Sequence, residues 1–306
     1  IKNSVFKQNQ LVKGVTGGWA YGGGIYITGY RKTIVENCLF DSNKSQGTSY
    51  ADQFGNVNNT QGYGGAINID IYDRYLSSSQ KYETYNPVIL INNTFVNNSA
   101  TSSNNEYDAY GGGVYLGYRE EATLFNNIFW GNTASKRSNN NDSNYNAYEL
   151  NLSGENKISM ANNSFQYYQK DKETSYNADI SFTNNMLGVN PSFKSSGNYP
   201  FELNDNSVLI GAGVASYNNY SSPNKDIKNG TRPNPSGSNP DIGAYENSLG
   251  TSPYPKQVDS VTVAVTDQQA TLTWKLNSAS NMASYKVYKS LESGFSISAD
   301  SLAATV

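Results

Sequence analysis

Large apolar residues recur along the first two thirds of the chain at positions marked by asparagine. The pattern is Asn, two residues, a large apolar residue, two residues, Asn. Its copies are Asn3/Phe6/Asn9, Asn37/Phe40/Asn43, Asn92/Phe95/Asn98 and Asn126/Phe129/Asn132. Asn162/Phe165 follows with Tyr168 in the last place, then Asn184/Leu187/Asn190. Five positions before each central residue stand Ile1, Val35, Leu90, Leu124, Met160 and Phe182. Seven before stand Thr33, Val88, Ala122, Ile158 and Ile180. Apolar residues two apart share one face of a strand, which predicts short half-buried strands. The first Asn of each copy continues this inward face. The residue after it is often Asn again (Asn93, Asn127, Asn163, Asn185), with Ser4 and Cys38 as exceptions. Asn tolerates the left-handed conformation, so the bend is expected at this second position.

A glycine-rich motif alternates with the first. It reads Tyr21-Gly-Gly-Gly-Ile25-Tyr-Ile27, Tyr63-Gly-Gly-Ala-Ile67-Asn-Ile69 and Tyr110-Gly-Gly-Gly-Val114-Tyr-Leu116. It decays to Asn146-Ala-Tyr-Glu-Leu150-Asn-Leu152 and Tyr176-Asn-Ala-Asp-Ile180-Ser-Phe182. Ile25 precedes Phe40, Val114 precedes Phe129 and Leu150 precedes Phe165 by the same 15 positions, whereas Ile67 precedes Phe95 by 28. One copy therefore carries an insertion, which a loop accommodates at about 0.6 kcal/mol per doubling of its length. Repeats of this kind predict an all-β chain wound as a right-handed parallel β-helix over residues 1–190, with inward asparagines in an amide ladder and the Phe residues in a dry stack.

After Asn190 the repeat stops. Residues 191–248 read as a last irregular coil and a C-terminal cap, because the open end of a stack needs covering. Asp226, Arg232, Asp241 and Glu246 in this segment form either a salt-bridged clasp or a calcium site. Residues 249–255 read as a linker. Beyond it Val261, Val263 and Val265 alternate, then Ala270, Leu272 and Trp274, then Tyr285–Ser290. Residues 256–306 thus resemble the first half of a fibronectin type III sandwich. Ile1 falls inside a repeat and Val306 inside this domain, so the sequence reads as a piece of a longer protein.

The Asn/Phe repeats, the YGGG motif and the run Phe201-Glu-Leu203, Ile210-Gly-Ala-Gly213, Asp226-Ile227, Arg232 and Asp241-Ile-Gly-Ala-Tyr-Glu246 resemble the choice-of-anchor Q domain proteins of the pectate-lyase-like group. The resemblance covers roughly residues 1–248. It implies a large secreted protein on the outer surface of bacteria, often Bacteroidota. It also implies a C-terminal domain, not in this sequence, read by the secretion or anchoring machinery. The fold hosts lyases, hydrolases, esterases and non-enzymatic adhesins, and does not choose among them.

Composition narrows the chemistry. The 306 residues include no histidine, which excludes histidine triads, Cys-His dyads and His-ligated zinc within this stretch. The formal charge of −3 offers no basic face for nucleic acid. No apolar run is long enough to span a bilayer. Cys38 is the only cysteine, so no intrachain disulfide forms. Catalytic candidates gather after the glycine-rich strands: Arg31, then Asp70, Asp73 and Arg74, then Arg119. On stacked coils these can share one flank, as the base and charge neutraliser of a lyase acting on acidic polysaccharide or as solvated turn charges. Tyr21, Tyr63 and Tyr110, with Tyr30 and Tyr118 of the Gly-Tyr-Arg triplets, are either a packing column or an aromatic platform for sugar rings. The sequence supports a structural or adhesive surface module that binds extracellular or cell-surface glycans, with a polysaccharide lyase as the alternative. It requires no cofactor beyond the calcium of the clasp reading.

Overall fold

A computed structural model describes residues 1–12, 18–29, 31–51, 53–55, 57–58, 60–71, 74–76, 81–83, 87–103, 107–117, 121–136, 149–152, 157–168, 179–253, 259–266, 269–275, 286–288 and 302–305. The chain divides into two compact units, Ile1–Ser252 and Pro253–Val306.

In the first unit successive strands go to different sheets and the chain returns to each sheet one strand further on. The phenylalanine sheet is ordered Val5–Lys7, Leu39–Asp41, Thr94–Val96, Ile128–Trp130, Ser164–Phe165, Met186–Leu187, all parallel. A second parallel sheet holds Thr33–Glu36, Val88–Ile91, Glu121–Phe125, Lys157–Ala161 and Asp179–Thr183. A third holds Gln10–Val12, Lys44–Gln46, Ser99–Thr101 and Thr133–Ala134. The glycine-rich motif supplies a fourth: Ile25–Gly29, Ile67–Ile71, Val114–Gly117 and Leu150–Leu152.

Register follows the repeat residue by residue. Phe6, Phe40, Phe95, Phe129, Phe165 and Leu187 pair in sequence across the first sheet. The rings from Phe6 to Phe165 stack with centroids 4.8–5.0 Å apart, the spacing of neighbouring strands. The expected insertion between Ile67 and Phe95 contains an antiparallel pair, Arg74–Leu76 with Lys81–Glu83.

The two asparagine roles are exchanged relative to the expectation. The first Asn of each copy is the left-handed one: Asn3, Asn37, Asn92, Asn126, Asn162 and Asn184 all have φ between 50° and 56°. The second Asn points inward. Asn93 donates its backbone N–H and its Nδ2 to Asn127 Oδ1, both at 2.9 Å. Asn127 does the same to Asn163, and Asn163 to Asn185. A left-handed residue reverses the strand's alternation, so the residue after it inherits the inward direction. The same device repeats one strand later. Gln8, Ser42, Asn97 and Gly131 are left-handed, and the residues after them form a second ladder, Asn9–Asn43–Asn98–Asn132.

Residues 191–252 do not simply close the last coil. They run along the outside of the first two sheets, past the left-handed asparagines. Asn37, Asn92, Asn126 and Asn162 donate to the carbonyls of Lys225, Asp241, Val214 and Ala212. Val214, Tyr217 and Tyr220 cover Ile89, Ile91, Phe125 and Ala161. Ile242 and Leu209 cover Ile128, and Ala244 and Tyr245 cover Leu39 and Val96. These outward apolar side chains need covering, which leaves their strands buried on both faces.

In the second unit Asp259–Thr266 pairs antiparallel with Gln269–Lys275, and Lys286–Tyr288 with Leu302–Thr305. Val261, Val263 and Val265 are exposed.

Candidate functional site

The fourth sheet presents the surface with the most chemistry. Its strands alternate: Ile25, Ile27, Ile67, Ile69, Val114, Leu116, Leu150 and Leu152 join the core. The opposite set is Tyr26 and Thr28, Asn68 and Asp70, Tyr115 and Gly117, and Asn151, with Tyr26, Asn68, Tyr115 and Asn151 in one cross-strand row. Period-two alternation turns this row away from the core, with Tyr26 exposed but Asn68 and Asn151 buried.

An aromatic patch continues from that row into the tyrosine column. Tyr21 stacks on Tyr26 at 5.3 Å and on Tyr63 at 5.4 Å, and Tyr63 stacks on Tyr110 at 5.7 Å. Tyr115 meets Tyr63 edge-on at 5.0 Å, and Trp19 meets Tyr21 at 6.4 Å. Because Tyr21, Tyr63 and Tyr110 lie face to face, most of their ring faces are spent on packing. The rings open to solvent are Trp19, 54% exposed, and Tyr26, 44% exposed. Neither was singled out from the sequence. For Tyr26 the signal was there: it is a large aromatic where the alternation points outward. Burial raises the Tyr63 hydroxyl well above its ordinary range, and it donates to Gln61 Oε1, so it is a neutral donor and not a base.

Asp70 lies beneath this patch, 4% exposed. Burial pushes its carboxyl up to about 6, and a hydrogen bond from Tyr26 opposes the shift. Its reach depends on Gly117 in the next strand, where an added Cβ would lie 2.1 Å from Asp70 Oδ1. Asn68, in register between Tyr26 and Tyr115, is fully buried with neither amide atom hydrogen-bonded. Such a group costs about 1–3 kcal/mol.

The other charged candidates do not join Asp70 among the described residues. Arg31 is exposed in the turn between Ile25–Gly29 and Thr33–Glu36. Arg74 opens the inserted hairpin, and its side chain lies outside the description. Tyr30, Asp73, Tyr118 and Arg119 lie outside the described residues.

Asp226, Arg232, Asp241 and Glu246 do meet, in the flanking segment. Arg232 donates Nε to Glu246 Oε2 at 2.8 Å, one Nη to Asn37 Oδ1 at 2.5 Å and the other to Gly243 O at 3.0 Å. Asp241 accepts from Gly211 and Asn247 N–H at 2.7 and 2.6 Å. Asp226 accepts from Lys228, Gly230 and Glu246 N–H. Burial, then the neighbouring Glu246, raises Asp241 to about 7. The carboxylates are turned onto N–H donors and the guanidinium reaches the stack through Asn37: the arrangement is a clasp. Among the described residues no three His, Cys, Asp or Glu side chains gather as a metal set. A polar cleft of about 300 Å³ adjoins the clasp, and its Lys194 and Lys228 both pair with Glu202.

Cys38 stands where the inner ladder would have an asparagine, and its N–H donates to Asn93 Oδ1. Burial raises its thiol to about 11, which keeps it protonated and inert.

Comparison with family models, with curated proteins and with solved structures finds no match to this chain.

Proposed function

We propose that residues 1–252 form a right-handed parallel β-helix of the choice-of-anchor Q kind, part of a secreted protein displayed on a bacterial surface. Its role is structural and adhesive, and the outward face of the glycine-rich sheet binds carbohydrate. The observation that carries this reading is the open pair of rings, Trp19 and Tyr26, beside a buried carboxyl and an unpartnered amide. Sugar rings offer apolar C–H faces to aromatic rings and hydroxyls to carboxylates and amides. A site for them is concave or flat, mostly aromatic, with a few convergent polar groups. Asp70 is the sole charged side chain described on this face of the sheet, so the reading favours neutral or amino sugars over uronates.

A carbohydrate-cleaving reading rests on one observation: Asp70 is held near 6 beside the Tyr26 hydroxyl, where a carboxyl can exchange protons at neutral pH. Binding should be measured calorimetrically against neutral, amino-sugar and uronic-acid oligosaccharides, with product formation followed in parallel. The expected outcome is binding of a neutral or amino-sugar ligand without turnover, weakened at least tenfold by Trp19→Ala. Absence of binding to every class sinks the adhesive reading, and an unsaturated or reducing product replaces it with the enzymatic one.

A further inference from the structure

The second asparagine ladder ends in an unusual way. In each coil the ladder Asn accepts two bonds on Oδ1 from the Asn before it, one from N–H and one from Nδ2. Asn98 gives both to Asn132, at 3.0 and 2.8 Å. Asn132 has no asparagine to follow, because Tyr168 occupies that place in the next repeat. Its Nδ2 donates instead to Glu149 Oε2 at 2.6 Å, and its backbone N–H also bonds the Glu149 carboxyl. Glu149 thus takes both bonds that a further Asn Oδ1 would take.

The glycine-rich strands explain how a glutamate fits. Gly24, Ala66, Gly113 and Glu149 stack as equivalents, linked by Gly24 N–H to Ala66 O, Ala66 N–H to Gly113 O and Val114 N–H to Glu149 O. A Cβ on Gly24 would come within 3.3 Å of Asn43 Cγ, and one on Gly113 within 3.4 Å of Asn132 Cγ. Small residues therefore pair with a ladder Asn. Where the Asn is lost, the space is taken by a carboxyl.

We propose that Glu149 is a proton-dependent end stop: in its neutral form it completes the ladder, and its ionisation releases the repeat built on residues 149–168. The carboxyl is completely buried. The glycine-rich strand brings Gly113 towards it, the ladder brings Asn132, and Tyr168 holds the next ladder place; none carries a charge at neutral pH. Among the described residues no ionised side chain offsets the burial, which raises Glu149 to about 8, with the two Asn132 bonds acting the other way. A carboxyl raised in the folded state stabilises most below its unfolded value, and that contribution is lost as pH rises through the folded value. The loss therefore runs from the ordinary carboxylate range up to about pH 8.

The test compares the wild type, Glu149→Gln and Glu149→Ala by thermal unfolding and backbone amide exchange between pH 5 and 9. The difference between wild type and Glu149→Gln isolates this group, because Asp70, Asp241 and Glu246 are raised in the same direction and remain in both. Between pH 5 and 9 the unfolding midpoint of Glu149→Gln should fall by several degrees less than that of the wild type, and the Asn132 amide should lose at least tenfold protection in the wild type alone. Glu149→Ala should be unstable at every pH. Parallel profiles for wild type and Glu149→Gln, with Asn132 equally protected at pH 6 and 9, would overturn the proposal.

Discussion

At the scale of single residues, neighbouring asparagines do opposite work. Asn162 needs its left-handed φ, which glycine supplies without strain. Asn163 needs its amide, because Asn127 N–H and Nδ2 both donate to Asn163 Oδ1 and the N–H has no other acceptor among the described residues. Asn163→Ala should cost about 1–3 kcal/mol, since it strands the buried Asn127 N–H, while Asn127 Nδ2 keeps Leu90 O and Phe125 O. Asn162→Gly should cost less than half as much, through loss of its bond to Ala212 O. Denaturant titration of both variants checks the order. The pair was legible in the sequence as a doublet, but its direction was not, because strand alternation carried through the bend assigns the two roles the wrong way round. Gly117→Ala belongs at this scale too: with a Cβ 2.1 Å from Asp70 Oδ1, it should move the carboxyl and weaken sugar binding about tenfold. Calorimetry with the same panel of oligosaccharides measures it.

At the scale of elements, spacing carried most of the information. The phenylalanine sheet, the glycine-rich sheet and the inserted hairpin fall where the repeats put them, since stacked coils require equivalent residues to pair. The flanking segment was read as a cap because sequence shows that a repeat ends, not where the chain goes next. Its path was encoded in unbroken apolar runs such as Val88–Ile91, buried on both faces. The clasp fastens this segment to the stack through Arg232 and Asn37. Arg232→Ala leaves Glu246 buried without its ion pair, which typically costs about 3–5 kcal/mol. The expected result is a lower denaturation midpoint together with faster amide exchange along residues 207–246. Loss of stability without local exchange would mean that the segment is held by its apolar contacts alone.

At the scale of the whole molecule, the first unit is a stack whose interior is specified almost entirely by repetition, whereas its chemistry sits where repetition lapses. Tyr26, Asn68 and Tyr115 occupy one row with different residues, Glu149 replaces a glycine, and Tyr168 replaces an asparagine. Departures of this kind carry no sequence signature of their own, which is why Trp19, Tyr26, Asn68 and Glu149 emerged only with the register. Of the expected catalytic flank, Asp70 alone is buried in a described setting that gives it distinct chemistry. On the proposed reading, this stack is a scaffold carrying one carbohydrate-binding face. The most direct test is the affinity of the wild type and Tyr26→Ala for the panel of neutral, amino-sugar and uronic-acid oligosaccharides. The account predicts measurable binding of a neutral or amino sugar by the wild type and at least tenfold weaker binding by a still-folded Tyr26→Ala. Equal affinity of the two proteins for every ligand would contradict it.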